Sequence, residues 1–393
     1  MQPRAESVIR EYLTAFSDGS SVLVAAPQLV DTVCAQQSLA GWHVTDCASR
    51  FERVAPLAAD ATTDELILGT SGTTGGPKLV RHDKSALRGC AAAIATRLAL
   101  DRDRDYVSLA NPRFAFGLSI LHSHALAGVP VRFQSAPTSL EAWARLRATL
   151  RLDSSIYLAP HQSFMLAQDP LWRLDGPVEL ILTGSPVRRS MVAALTSTFP
   201  SATLVVMYGQ AELGPRISIR RAPISEFEEG NTGQPLPGVR VRSAGHPGAL
   251  EVDSPFRMTS YVDITGATIP AERPLDNPWL ATGDHGFVSA SGDVHVVQRS
   301  ATDVNFLGTR VRLDQLRDAV RAVSGVLDVR AAAVPHDVYG QRPRLRVLVP
   351  HLDAADALER DVRRALAFHI GTAASAVIVE LVDLASLPES GKL

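Results

Sequence analysis

Apolar runs and longer amphipathic stretches alternate over the first half of the chain. The runs at Ser21–Ala26, Leu66–Leu68, Val178–Leu182 and Thr203–Met207 are, apart from Glu179, apolar or small at successive positions, the signature of short strands buried on both faces. Between them Ser85–Leu100 and Ser139–Leu150 follow a helical period. Strands that alternate with helices predict an α/β domain whose sheet is largely parallel. Beyond Asn231 the pattern shortens: NTGQPLPGVRVRS and HPGALEV mix Gly and Pro with alternating apolar positions, which predicts β-hairpins and a β-rich subdomain. A further change follows Arg299, with a helix predicted over Val311–Val323, strands at Val329–Val334 and Arg344–Val349, a helix over Ala354–Ala367 and a last strand at Val377–Leu381. This reads as a small α+β domain, so residues 1–298 are expected to form a large N-terminal domain and 299–393 a small C-terminal one, joined near Val297–Thr302. Neither an internal repeat nor a low-complexity tract interrupts the pattern.

Composition narrows the class. A chain of 393 residues, 46% of them hydrophobic, suffices for one large layered domain or two with separate cores. A formal net charge of -2 supplies no general attraction to nucleic acid or an anionic membrane, and neither partner is expected. The N-terminus lacks an apolar signal core, and no uninterrupted apolar run reaches membrane-spanning length. Cys34, Cys47 and Cys90 are odd in number and form no CxxC, which argues against a disulfide framework or structural zinc and fits a cytoplasmic protein. Among 39 basic residues only Lys78, Lys84 and Lys392 are lysines, so each invites a reason. For Lys84 the expectation is a solvated residue at a helix start.

The stretch LILGTSGTTGGPKLVRHDKSAL, Leu66 to Leu87, runs from a strand through a Gly, Ser and Thr loop into a helix. Such a loop can wrap polyphosphate, because glycines turn backbone N–H groups inward, hydroxyls add donors and a lysine neutralises charge. It is not a Walker A loop, since Pro77 precedes Lys78 and Leu79 follows it. On composition alone a flexible polar loop explains the stretch as well.

Thr70 to Lys78, TSGTTGGPK, resembles the phosphate loop of the adenylate-forming superfamily of acyl-CoA synthetases, peptide-synthetase adenylation domains and luciferases. Further stretches follow in that family's order. Ile181–Val187, ILTGSPV, resembles the segment that packs on adenine. Met207–Glu212, MYGQAE, resembles Tyr-Gly-x-Thr-Glu, and Gly230–Gly238 a structural turn. Leu280–Gly286, LATGDHG, resembles the Thr-Gly-Asp motif, Val297–Val311 the hinge, and Leu387–Leu393, LPESGKL, the C-terminal segment with the catalytic lysine.

The resemblance implies an AMP-forming ligase, as in secondary metabolism, that uses ATP and Mg2+. In it Thr70, Ser71, Gly72, Thr73, Thr74 and Lys78 cradle phosphates; Gly184, Ser185, Pro186, Tyr208, Gly209 and Gln210 surround adenine; Asp284 and Arg299 hold the ribose; Glu212 holds the metal; and Lys392 is catalytic. Two of the three lysines thus fall where the family places one, and a compact ammonium suits a point contact with oxygen better than a planar fork does. Taken singly, Glu212 and Asp284 read as solvated acids and Tyr208 as a core aromatic; the joint order argues otherwise. A carboxylate is a poor electrophile until its oxygen is carried on the α-phosphorus of ATP, and metal and lysine offset the crowding of two anions. The small domain is expected to be mobile and then present a thiol of CoA or of a carrier protein's phosphopantetheine.

Phe114, Ala115, Phe116 and Gly209 are the acyl-site candidates. Ala115 stands where amino-acid-activating relatives keep an aspartate, so a small aryl or short to medium aliphatic acid without an α-amino group is expected; simple core packing reads Phe114–Phe116 equally well. Departures from the family pattern are Ala211 in place of its Thr, Ala301 and Thr302 in place of hinge aspartates, a short lead before the loop and a penultimate Lys392. They motivate the alternative of a degenerate member that binds adenylate or a partner without catalysis. Arg342, Arg344 and Arg346 read either as a contact for a CoA phosphate or acidic carrier, or as a solvated face.

Overall fold

In the computed structural model the apolar runs SIYL, ELIL and TLVVMY form neighbouring parallel strands at Ser155–Leu158, Glu179–Leu182 and Thr203–Tyr208. The structure describes residues 3–17, 20, 22–24, 43–45, 51–53, 64–69, 79–137, 139–167, 173–184, 186–263, 265, 267–269, 277–299, 303–306, 309–336, 340–349 and 355–383. Two compact units divide between Gln298 and Arg299.

The three strands are central in a seven-stranded sheet of order Gln234–Pro235, Ser218–Pro223, Thr203–Tyr208, Glu179–Leu182, Ser155–Leu158, Tyr106–Ser108, Arg132–Phe133. Their side chains alternate between two cores. Tyr157, Ile181, Val205 and Met207 pack with Leu87, Ile94, Leu118 and Leu121 of helices Lys84–Leu98 and Ala115–Ala127. Ile156, Leu158, Leu180, Leu182, Leu204 and Val206 pack with Trp143, Leu146, Met191 and Leu195 of helices Leu140–Arg147 and Arg189–Thr198. Burial on both faces is why these strands are almost wholly apolar, Glu179 being the charged exception, buried against Arg221 and Arg104.

Parallel pairing dominates this sheet but not the other seven-stranded one, ordered Thr268–Ile269, Ser260–Val262, Leu79–Asp83, Glu65–Gly69, Val22–Val24, His43–Thr45, Phe51–Arg53. There it is confined to the two neighbours of Val22–Val24. Glu65–Gly69 and Leu79–Asp83 are antiparallel; they lie too close in sequence for the crossover a parallel pair needs. A four-stranded antiparallel sheet of Arg240–Gly245, Gly248–Asp253, Leu280–Val288 and Val294–Arg299 accounts for the hairpin-like texture after Asn231.

The smaller unit has its own core. Leu313, Leu316 and Val320, one stripe of helix Leu313–Arg321, meet Val362 and Leu366 of helix Ala355–Ile370 and the sheet of Asp328–His336, Gly340–Val349 and Ile378–Asp383. Arg344 and Arg346 pair with Glu380 on the adjacent strand, at 2.7 and 3.8 Å, and Arg342 donates to the Ala376 carbonyl. The partners of this arginine run are therefore its own neighbours. No helix among the described residues is long and apolar enough to cross a membrane.

The expectation for Lys84 is overturned: the residue is wholly buried. Its Nζ donates to the Ala15 carbonyl at 2.8 Å and to the Ser20 carbonyl, and lies 3.5 Å from Asp64 Oδ1. Arg88, one turn on, donates to Phe16 O at 2.7 Å and Asp64 Oδ2 at 3.2 Å. Helix Pro3–Ser17 has no basic residue in its last turn, and its final carbonyls are capped from a distance by Lys84 and Arg88.

Four histidines are buried among the described residues of the larger unit, and three of them have strongly lowered pKa values. His122 bonds Tyr12 Oη at 2.6 Å, His124 bonds Tyr157 Oη at 2.8 Å, and His82 bonds the Ala211 carbonyl at 2.9 Å. Burial lowers their pKa values to about 3, 4 and 4 respectively, against an ordinary 6.5. The unfolded chain therefore takes up protons that the folded one refuses as pH falls from 6.5 towards 4, and stability falls with it. Between pH 6 and 5 we expect a loss of roughly 2–4 kcal/mol, read by urea unfolding at pH 7.5, 6 and 5. A flat profile across that window would show the histidines charged in the fold.

Candidate active site

Asp284 is placed by a break in strand pairing. Ala249 faces His285 and Glu251 faces Ala281, so Thr282, Gly283 and Asp284 together oppose Leu250 alone. A bulge of this kind bends a strand and re-aims its side chains. Gly283 takes φ +75°, which a glycine adopts without steric cost. Thr282 Oγ1 donates to Leu250 O at 3.0 Å and accepts from the Asp284 N–H at 3.0 Å, bonding backbone groups that the interrupted ladder leaves over. The sequence Thr-Gly-Asp thus builds a local shape that holds a buried carboxylate.

What faces that carboxylate comes from the end of strand Thr203–Tyr208. Tyr208 Oη donates to Asp284 Oδ2 at 2.6 Å, and Gln210 Nε2 donates to the same oxygen at 3.1 Å and to Thr282 O at 2.7 Å. The ring of Tyr208 belongs to the main core. Gly209 lies between them because nothing larger fits: a Cβ there would stand 2.0 Å from Pro215 O and 2.7 Å from Arg216 Cα. Next, Ala211–Leu213 forms one 3-10 turn. It presents Glu212, whose Oε1 accepts from Tyr261 Oη at 3.2 Å and whose carbonyl accepts from the Met258 N–H at 2.9 Å. The buried, neutral His82 holds the Ala211 carbonyl.

On the neighbouring parallel strand, Thr183 Oγ1 donates to Met207 O at 2.6 Å and ties the start of the Gly184 turn to the strand that carries Tyr208. Gly184 has φ +95°, and among the described residues, its chain neighbours apart, no atom lies within 4 Å of where a Cβ would stand. Pro186 follows in the same turn. The carboxyl ends of adjacent parallel strands are where open α/β sheets collect ligands.

Phe114 is the exposed N-cap of helix Ala115–Ala127, with the Arg113 guanidinium 5.1 Å from its ring centroid. Ala115 and Phe116 pack against the main core, and the Arg216 guanidinium stands 5.0 Å from the Phe116 ring centroid.

The structure therefore brings together Tyr208, Gln210 and Asp284, sets Glu212 one turn away, and joins Phe116 to Gly209 through Arg216. Thr70, Ser71, Gly72, Thr73, Thr74, Lys78, Ser185 and Lys392 lie outside the described residues, as does the side chain of Arg299, whose backbone ends strand Val294–Arg299. Tyr261, His82 and Arg216 were not anticipated at the site, and Thr282 was quoted only as part of its Thr-Gly-Asp motif. Of the first three, Arg216 left a trace in sequence, as a lone charge within LGPRISI.

A family model described as "AMP-binding enzyme" matches residues 17–261. The 2-hydroxy-7-methoxy-5-methyl-1-naphthoate–CoA ligase of Streptomyces carzinostaticus is 25% identical over 98% of this chain and 68% of its own length. The 4-coumarate-CoA ligase 2 of Narcissus pseudonarcissus is 28% identical over 76% of this chain and 57% of its own. Among solved structures, the amide bond synthetase from Marinactinospora thermotolerans aligns with TM-score 0.69 at 20% identity, over 99% of this chain and 92% of that one. The o-succinylbenzoate CoA synthetase from Bacillus subtilis, as a double mutant, aligns with TM-score 0.68 at 17% identity, over 99% and 90%. The likeness to both shows a shared fold.

Proposed function

The chain belongs to the AMP-binding enzyme family, and on that premise we propose that it joins a carboxylic acid to AMP and then to a thiol. The observation that carries the reading is the buried Asp284, fixed by a bulge and bonded by Tyr208 and Gln210 at the mouth of the parallel sheet. Residues 1–298 are the ATP- and acyl-binding domain in this reading, and 299–393 the domain that brings Lys392. The acid is a small one, aryl or short to medium aliphatic, without an α-amino group, since Ala115 offers no carboxylate to an ammonium. The acceptor is CoA or the phosphopantetheine of a carrier protein. The naphthoate and coumarate ligases named above support an aryl acid and CoA.

Each residue has a task. The loop from Thr70 to Lys78 holds the β- and γ-phosphates, which leave as pyrophosphate. No described residue beyond its chain neighbours crowds Gly184, which accords with a nucleobase lying along Gly184–Pro186 and Gly209. Asp284 and Arg299 receive the ribose hydroxyls. Glu212 would hold magnesium, and a single carboxylate completed by substrate phosphates suits that ion. The metal supplies neutralisation of charge between carboxylate and triphosphate. Lys392 spans the attacking carboxylate oxygen and the α-phosphate, and withdraws with a mobile small domain before the thiol enters. A cytoplasmic setting accords with thiol chemistry.

The test is exchange of labelled pyrophosphate into ATP across a panel of aryl and aliphatic acids. Exchange is expected only when an accepted acid is present. Exchange with no acid in the panel would favour a chain that binds adenylate without making it; release of phosphate without acid would indicate an ordinary NTPase. Asp284→Ala removes the acceptor of Tyr208 and Gln210, and the ATP KM in exchange is expected to rise about 10- to 100-fold, following the 1–3 kcal/mol typical of an orphaned buried polar group. An unchanged KM would remove Asp284 from the nucleotide site.

A further inference from the structure

Resting on the acid-activating reading above, we infer that Arg216 determines specificity at the acyl site and selects an acid that carries a second carboxylate. Arg216 is 3% exposed. Its Nη1 donates to its neighbour's carbonyl, Pro215 O, at 2.8 Å, Nη2 reaches Phe116 O at only 3.4 Å, and Nε is buried with no hydrogen-bond partner. Among the described residues no carboxylate lies within ion-pair distance of it. The titratable groups that face it are Cys90 and Tyr157, both buried. Burial pushes the Cys90 thiol up to about 12 and raises the Tyr157 phenol well above its usual value, so both stay neutral. Burial brings Arg216 down to about 10, which leaves it cationic at neutral pH. A desolvated cation with neutral neighbours is an unfavourable arrangement that an incoming anion would relieve.

Its position says which anion. The Arg216 backbone closes on Gly209, and its guanidinium lies by the Phe116 ring, two residues assigned to the acyl site on independent grounds. Nε and Nη2 share one edge of the planar fork, and such an edge takes a carboxylate through two parallel hydrogen bonds. The reacting carboxylate is committed to the α-phosphorus and cannot also lie on this edge. The anion is therefore a second acidic group at the far end of the same acid. A hydroxyl or ketone would accept one bond and leave the charge unmatched.

The experiment compares matched acids, benzoate with isophthalate and hexanoate with adipate, on the full chain, on Arg216→Met and on Arg216→Lys. The ratio of kcat/KM for diacid over monoacid in pyrophosphate exchange is the readout. The unaltered chain is expected to favour the diacid in at least one pair, and the ratio to fall on the order of 30-fold in Arg216→Met, as when one partner of a buried charge pair is truncated. Arg216→Lys keeps the charge without the two-donor edge and is expected to lie between; it carries the test if Arg216→Met does not fold. Preference for the monoacid in every pair, or an unchanged ratio in the variants, overturns the inference. Thermal shifts by the same acids in the presence of ATP give a readout apart from catalysis. Without any exchange, a diacid-selective shift lost in the variants upholds Arg216 while the activation reading falls. Equal shifts from both acids overturn Arg216 as well.

Discussion

Lys392→Ala is expected to lower acid-dependent pyrophosphate exchange by about 10²- to 10³-fold, the range seen when one preorganised donor to a developing charge is removed. ATP binding should be nearly unchanged. The asymmetry follows from where charge builds up. In the proposed reading the loop with Lys78, magnesium at Glu212 and the ribose contacts would hold the triphosphate in the ground state, and none of these would need the C-terminal ammonium. In the transition state a carboxylate oxygen approaches a phosphorus already ringed by negative oxygens, and an ammonium bridging the two lowers that barrier without tightening the free nucleotide. Lys392→Arg should not restore the rate, because a planar fork replaces a compact charge where this arginine-rich chain keeps a lysine. Two measurements separate the effects: equilibrium binding of ATP, and thioester formation from a synthetic acyl-adenylate. The second bypasses adenylation and should survive the substitution. Exchange at the unaltered rate in Lys392→Ala would remove the lysine from the chemistry.

What could be read from the sequence was local. Apolar runs placed two of the three central strands, Glu179–Leu182 and Thr203–Tyr208, to within a residue, because a strand between two helical layers has little polar face; the third, Ser155–Leu158, was not singled out. Helix Lys84–Leu98 was legible through its period; its cap at Asp83, whose side chain accepts from the Ser85 N–H, was not singled out. The order of motifs along the chain pointed to the family, since each is a short peptide whose local shape, such as the bulge around Gly283, is encoded within it. What could not be read was distant. The Tyr261–Glu212 bond joins residues far apart in sequence, and Tyr261 reaches it only because Ser260–Val262 pairs with Leu79–Asp83. The burial of Arg216 depends on Phe116 and Gly209 closing over it. Lys84 was misread for the same reason: a lysine at the first position of a helix is ordinarily solvated, and the carbonyls that bond it come from the end of another helix and from Ser20 beyond it.

That misreading defines a second large effect. Lys84→Met is expected to destabilise the larger unit by about 2–4 kcal/mol, since it leaves two carbonyls without the buried ammonium that bonds them, at about 1–3 kcal/mol for each unsatisfied group, and to lower the melting temperature by roughly 5–10 °C. Methionine fills similar volume, so the loss comes from polar groups rather than a cavity. The carbonyls of Ala15 and Ser20 lose their donor, Asp64 keeps only Arg88 of its two cations, and the last turn of helix Pro3–Ser17 loses one of its two positive caps. A cation at the first turn of its own helix is disfavoured by about 0.3–1 kcal/mol; its placement there makes sense only if the distant contacts outweigh that cost. Lys84→Arg should also destabilise, because a larger group must enter a site that leaves the lysine no exposure. Hydrogen exchange separates local from global effects: amides of residues 8–17 should lose protection in both variants before those of Thr203–Tyr208 do. Unaltered protection in that helix, or a melting temperature within a degree of the parent, would show that Lys84 is merely accommodated.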